Sequence, residues 1–286
     1  MEHTIQPDEA GMRLDHFLAG KLPSTSRAYI QKLRADGKIK VNGQAEKAGY
    51  KLKEADVVST EYNPAENIIP AIDLPVLYED DDCIVIDKPA GVLTHALGVH
   101  GAEPSVASFI RSKVKGLEGE RSGIVHRLDR ATSGVIIGAK NQPALSWLQK
   151  QFSQRKVKKT YVAVVAGAPK QREAAIDMPI QRNPRAPATF RVGSNGKPAV
   201  TVYRILEEGP GFSLLELKPQ TGRTHQLRVH LQKIGCPIVG DPLYGTGQFG
   251  DRLFLHAESL EITLPSRERK TFHSPLPSEF RDKIHG

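Results

Sequence analysis

Cysteine is almost absent from this chain. There are two in 286 residues, Cys83 and Cys236, far apart and outside any Cys-x-x-Cys pair. A disulfide framework is excluded, and the histidines near them lack the spacing a zinc site needs. Long apolar runs are missing too: none approaches the roughly 18 to 20 residues of a membrane helix. The first residues, Met1-Glu2-His3-Thr4-Ile5-Gln6, carry no basic start followed by an apolar core, so no signal peptide is expected. No glycine-rich phosphate loop is present; Gly43 and Gly49 sit in turns. These absences predict a reduced, cytoplasmic chain with no metal, no cofactor and no membrane partner.

Acidic residues are scarce over most of the length. Residues 1–60 carry 10 Lys+Arg and 8 Asp+Glu, residues 61–82 carry 7 acids and no base, and residues 83–286 carry 30 bases and 17 acids. The main body therefore holds a net +13 within a chain of net +8. Such a balance suits a polyanionic partner, nucleic acid above all, although an inert basic surface gives the same count.

At roughly 150 residues per domain, the length predicts one large domain and a small one, or two of similar size. Residues 11–60 read as the small one. Leu14, Phe17 and Leu18 repeat at helical spacing. Ser24 and Ser26 offer N-caps for a second helix over about 27–35, with Ile30 and Leu33 inward and Gly37 as its C-terminal cap. Ile39 to Gly43 reads as a strand entering an Asn-Gly turn, and Asp56-Val57-Val58 begins another. Arg27, Lys32, Arg34, Lys38 and Lys40 cluster there, as an RNA-binding face or as the solvated face of a small helical adaptor. Residues 61–75, acidic and interrupted by Pro64, Pro70 and Pro75, read as a semi-extended linker.

From residue 76 to 286 strands predominate. They are expected over 84–87, 124–128, 135–139, 161–165, 200–206 and 212–217, with helices over 105–114, 143–152 and 225–234, and this makes the class α+β. Gln181 to Pro198, rich in Pro, Arg and Gly, reads as an exposed loop.

One segment carries chemistry. His126-Arg127-Leu128-Asp129-Arg130-Ala131-Thr132-Ser133-Gly134 lies between Ile124-Val125 and Val135-Ile136-Ile137, as a turn between two strands. Guanidinium groups beside a carboxylate favour its charged form, and a positioned carboxylate can attack a sugar carbon. Taken alone, the segment fits a structural ion pair equally well. His126, His225 and His256 have no carboxylate or nucleophilic serine at triad spacing and read as scaffold hydrogen-bonding groups.

The segment His126–Gly134 resembles the active-site motif of the RluA-type pseudouridine synthases. Lys159-Thr160-Tyr161-Val162-Ala163-Val164 resembles the family's second motif, and Leu217 to His230, through Gln220-Thr221-Gly222-Arg223-Thr224-His225-Gln226-Leu227-Arg228, its third. Leu253-Phe254-Leu255-His256-Ala257 is similar to its Leu-His-Ala signature. Ser26-Arg27 with Gly37-x-Ile39-x-Val41-Asn42-Gly43 is similar to the S-four-type RNA-binding domain.

The resemblance implies a mixed, mainly antiparallel sheet with a central cleft, in which uridine is converted to pseudouridine. The reaction moves the ribose C1′ bond from N1 to C5 of uracil and needs neither redox cofactor nor metal. It uses one carboxylate, whereas a glycosidase uses two. By resemblance that carboxylate is Asp129, acting on C1′ directly or by removing a proton from C2′. Tyr161 would lie against the uracil and take the C5 proton, Arg223 would pair with Asp129 and orient it, and Leu255 would cover the base. The target must leave its stack, and Arg127 would fill the vacated space. Arg130, Lys156 and Lys158, with Arg27 in the small domain, would contact phosphate, which gives affinity rather than sequence choice. The family often has an acid where this chain has Ala131, a supporting position. Large-subunit ribosomal RNA is the favoured substrate because of the S-four-type domain. Transfer RNA, and a non-catalytic ribosome-assembly factor, are the alternatives, and a monomer is expected.

Overall fold

The computed structural model of the protein describes residues 1–22, 27–62, 70–95, 103–114, 117, 123–245 and 252–285, with backbone alone at 27 and 28. Ser24 and Ser26, the side chain of Arg27, and residues 63–69 of the expected linker lie outside the described residues. The chain forms two compact units. Residues 1–72 make the first, and the described part of 95–109 belongs with it; residues 73–94, 110–117 and 123–286 make the second.

The first unit contains β1 (Glu2–Thr4), α1 (Leu14–Lys21), α2 (Arg27–Ala35), β2 (Ile39–Val41) and β3 (Val57–Thr60). Its strands form an antiparallel sheet in the order β1-β3-β2. The residues spaced for helices meet in one core: Leu14, Phe17, Leu18, Ile30 and Leu33 pack with Ile39, Val41 and Val58. Asn42 and Gly43 both have positive φ, 52° and 78°, and Val41 and Gln44 exchange both backbone hydrogen bonds across them, as a two-residue hairpin turn requires. The unit also takes in residues before Gly11. β1 pairs with β3 and Ile5 is buried in the same core, because the free edge of β3 accepts a short strand too brief to show periodicity.

The second unit is built on a nine-stranded sheet. Its elements are β4 (Val76–Glu79), β5 (Cys83–Lys88), α3 (Val106–Arg111, shared between the units), β6 (Ser133–Ala139), α4 (Gln142–Ser153), β7 (Lys158–Ala166), β8 (Glu173–Asp177), β9 (Ile180–Arg182), β10 (Phe190–Val192), β11 (Val200–Gly209), β12 (Phe212–Pro219), α5 (Gln226–Lys233), β13 (Leu255–Thr263), β14 (Arg269–His273) and α6 (Glu279–His285). The sheet runs β4-β5-β6-β13-β7-β12-β11-β8, with β14 on β13. Every described pairing in it is antiparallel except β6 with β13. Both faces are covered. On β7, Ala163 and Val165 pack with Leu227 and Leu231 of α5, while Val162 and Val164 pack with Phe280 and Ile284 of α6. That two-sided burial is why β7 reads as a continuous apolar run rather than an alternation. The architecture is the expected α+β fold with a mixed, mainly antiparallel sheet.

Two local expectations fail. Residues 124–128 do not form a strand: Ile124 makes a single bridge to Gly138, and the backbone of Leu128 bonds to the Thr94 hydroxyl instead of a ladder. His126 substitutes for a strand partner by accepting the Ile137 amide on Nε2. Residues 181–198 are not simply an exposed loop. They carry the β9–β10 hairpin, which Ile180, Phe190 and Val192 anchor against Val229 of α5.

The parallel pair depends on one glycine. Gly134 sits at φ 110°, and a Cβ there would lie 2.2 Å from the carbonyl oxygen of Ala257. Gly134→Ala is expected to cost at least about 3 kcal/mol, combining backbone strain with a clash that neither strand can relieve. A lowered urea midpoint at unchanged slope would record it.

Candidate active site

Asp129 stands in a turn just before β6, closed by the Thr132 amide donating to the Asp129 carbonyl at 3.0 Å. The backbone is clamped on both sides of it. Before it, Thr94 Oγ1 donates to Leu128 O at 2.7 Å and accepts from Leu128 N at 3.1 Å. After it, Arg130 O accepts from Gly91 N and from the Lys88 ammonium. Lys88 is fully buried, and its Nζ donates to the carbonyls of Pro89, Val92 and Arg130 at 2.9, 2.8 and 3.1 Å. Three protons meet three acceptors, so the buried charge is satisfied by backbone alone. Burial pushes its pKa down to about 7, while the charge of Asp129 pulls the other way.

The turn opens on a cavity of about 470 Å³. Asp129, Tyr161 of β7 and Leu255 at the start of β13 all line it. They come from neighbouring tracks at the middle of the sheet, since β6, β13 and β7 are consecutive. The loop from Pro219 to His225 closes another side. Gln226 shapes that loop: its Oε1 accepts from Thr221 Oγ1 and Arg223 N, and its Nε2 donates to Val200 O and Thr201 Oγ1.

The partner of Asp129 is not the expected one. Arg223 lines the cavity, but its Nε donates to Pro198 O. Arg228 makes the ion pair instead, Nη1 to Asp129 Oδ2 at 3.3 Å. The reason is positional. Arg223 belongs to the loop before α5, whereas Arg228 lies in its first turns, buried between Leu227 and Val229. The rest of the Arg228 fork grips Asp241 in a bidentate pair, Nε to Oδ2 at 2.7 Å and Nη2 to Oδ1 at 2.6 Å. Asp241 Oδ1 also accepts the amides of Leu243 and Tyr244. The guanidinium lies over the Tyr244 ring, 5.0 Å from its centre. It is therefore held from behind before it reaches Asp129.

His225 also approaches Asp129, Nε2 to Oδ2 at 3.8 Å. It takes a left-handed backbone, φ 55°, at the start of α5. Tyr244 OH accepts the Phe190 amide and lies 2.9 Å from His225 Nδ1. The hydrogen-bond network assigns the phenol proton to Nδ1, which leaves Nε2–H facing the carboxylate. Burial lowers the His225 pKa against the pull of Asp129, which favours the uncharged ring. His225 is thus more than scaffold. His126 and His256 do serve as scaffold. His126 stacks on Phe152, and burial takes its pKa down to about 3; His256 bonds Ser133 and the Ser274 carbonyl.

The remaining expected residues separate. Tyr161 faces the cavity, and burial first, then the charge of Asp129, pushes its phenol above the ordinary value. Leu255 is buried in the cavity wall. Arg127 is exposed at the rim. Arg130 does not line the cavity and donates to Gly91 O. Lys156 is exposed off the cavity, and Lys158 pairs with Glu261 across β7 and β13. Among the described residues no His, Cys, Asp and Glu cluster is placed to hold a metal, and no helix is long and apolar enough to cross a membrane.

This geometry meets its counterpart in known proteins. The family described as RNA pseudouridylate synthase matches residues 82–233, and the S4 domain matches residues 12–58. The chain belongs to the RNA pseudouridine synthase family. It is 35% identical to the ribosomal large subunit pseudouridine synthase C of Vibrio cholerae, over 98% of this chain and 94% of that one. It is 37% identical to the ribosomal large subunit pseudouridine synthase D of Nitrosomonas europaea, over 98% and 85%. Among solved structures, human RNA pseudouridylate synthase domain containing 1 superposes with a TM-score of 0.60 at 30% identity, covering 72% of this chain and 85% of that one. The synthase fold thus brings together Asp129, Tyr161, Leu255 and the third-motif loop, and adds Arg228, Asp241 and Tyr244, to which the sequence assigned no role, and His225, which it read as scaffold. A signal for Arg228 was available: an arginine flanked by Leu227, Val229 and Leu231 in a helix must be buried, and a buried guanidinium needs a carboxylate.

Proposed function

We propose that this synthase converts uridine to pseudouridine in large-subunit ribosomal RNA, with Asp129 as the catalytic carboxylate. The observation that carries the reading is the Asp129 environment. One carboxylate faces a nucleoside-sized cavity, its backbone is clamped on both sides, and one face is held by an arginine already braced by Asp241. The small N-terminal unit and the relatives' names favour ribosomal over transfer RNA. All the described site groups lie in one chain, so a monomer suffices.

In this reading Asp129 attacks C1′, or takes the C2′ proton, and the C1′–N1 bond breaks with its electron pair leaving on uracil. The base turns in the cavity; C5 then bonds to C1′ as the Asp129 oxygen leaves it, or as the proton taken from C2′ is returned, and the C5 proton is removed. Leu255 keeps water from C1′. Tyr161, on the cavity wall, is placed to take the C5 proton at that last stage. Arg223 and Arg127, at the loop and the rim, hold phosphate near the flipped nucleotide, Arg130, Lys156 and Lys158 extend that contact outward, and Arg27 of the N-terminal unit contributes its own phosphate contact to RNA binding.

Pseudouridine mapping of total RNA from cells with and without the gene tests the proposal. Sites in large-subunit ribosomal RNA should lose the modification and regain it on complementation. Loss confined to transfer RNA would move the substrate, and no loss at any site would favour the assembly-factor reading.

A further inference from the structure

Besides Asp129 and its partners, the cavity is lined by an inward cation whose ammonium has no partner among the described residues. Lys159 lies two residues before Tyr161 on β7, and residues two apart share a face of a strand. Both side chains line the cavity. Its ammonium sits beside Gly222 of the third-motif loop, where a Cβ on that glycine would be 3.7 Å from Nζ. Lys159 is half-buried and has no ion pair or hydrogen bond among the described residues. Its neighbour Lys158, on the opposite face of the strand, is the one that pairs with Glu261. Asp129 is the sole carboxylate lining the cavity, and Arg228 occupies it. Burial lowers the Lys159 pKa, the mark of a cation short of an anion.

Resting on the reading of the reaction above, we propose that Lys159 is a catalytic residue that binds the departing uracil, donating a hydrogen bond to a carbonyl oxygen of the base as negative charge gathers there. When C1′–N1 breaks, the electron pair delocalises from N1 onto the O2 and O4 oxygens. A fixed cation aimed at those atoms is worth most at that moment, in a site shielded from water. The other free cations on the wall are placed differently. Arg127 and Arg155 are exposed at the rim, where phosphates remain solvated. Lys159 shares the strand face of Tyr161, against which the base lies in this reading. No proton need be transferred: uracil leaves as an anion paired with the ammonium, and returns through C5.

The test is single-turnover reaction of the full chain with transcripts of large-subunit ribosomal RNA, made either with uridine or with 5-fluorouridine. Fluorine withdraws charge from the ring and makes the base a better leaving anion. Lys159→Met should slow consumption of uridine about 10²-fold at saturating enzyme, with RNA affinity within about threefold of wild type. Consumption of 5-fluorouridine should fall at least about tenfold less, since the leaving group no longer needs the help. Lys159→Gln should behave alike, and both variants should unfold thermally as the wild type does. An unchanged rate would overturn the proposal. So would weaker binding with an unchanged saturated rate, the result of a phosphate contact, and so would equal losses on both substrates, the result of a packing role. A wild-type enzyme that leaves uridine in these transcripts untouched would instead overturn the ribosomal reading on which the proposal rests.

Discussion

Asp129→Asn is expected to abolish conversion of uridine, by at least about 10⁴-fold, the scale on which single members of a catalytic unit fail. The substitution preserves shape. An asparagine Oδ1 can still accept from Arg228 Nη1, now at 3.3 Å from Asp129, and the flanking clamps at Leu128 and Arg130 are backbone bonds that the side chain does not touch. The lost property is the negative charge and the nucleophilic oxygen. RNA affinity should stay within about threefold or rise slightly, because affinity for a polyanion comes from the basic surface and a carboxylate opposes it. Mass spectrometry of pseudouridine in a transcript, with filter binding on the same preparation, checks both arms. Activity near wild type would remove Asp129 from the chemistry.

Much of this site was legible from the order of residues, and the reason is physical. Apolar runs and their flanking turns marked the strand and helix cores, including β5, β7, β12 and α4, whereas Asp129, Tyr161 and Leu255 stood out through motifs that resemble those of a known family. What escaped depends on contacts between distant segments. Arg228 and Asp241 are 13 positions apart and Arg228 and Asp129 are 99 apart; no spacing rule links them. Arg223 stood in the loop, closer to the motif's turn, and the loop's path is set by Gln226 side-chain bonds that leave no periodic trace. Residues 124–128 are apolar enough for a strand, yet their hydrogen bonds go to the Thr94 hydroxyl and through the His126 ring. Lys88 lies just past the strand expected over 84–87 and drew no role from the sequence. That it is the buried anchor of the catalytic turn follows only once Pro89, Val92 and Arg130 are seen to converge on it.

Arg228 separates stability from catalysis, and a cycle with Asp241 exposes the division. Arg228→Met should destabilise the protein by about 3–5 kcal/mol, because it leaves Asp241 as an unpaired buried charge; the Asp241 side chain has no exposed surface. It should also lower isomerisation by at least about 10³-fold, since Asp129 loses both its orientation and the adjacent charge. Adding Asp241→Asn to that variant removes the orphaned charge while its side-chain oxygen can still accept the Leu243 and Tyr244 amides. The double variant should therefore recover most of the lost stability, a strongly non-additive result for residues in direct contact, and recover none of the activity. Arg228→Lys keeps the charge but loses the fork that reaches Asp241 and Asp129 together. It should retain more stability than Arg228→Met yet still lose roughly 10²-fold in rate, because a single ammonium cannot make both contacts. Urea midpoints and single-turnover rates on the wild type, Arg228→Met, Asp241→Asn, the double variant and Arg228→Lys read the cycle. If the double variant regained activity together with stability, Arg228 would act only by holding the fold around α5. If it regains stability alone, the charge that Arg228 presents to Asp129 is part of the chemistry, and Asp241 is the group that holds it there.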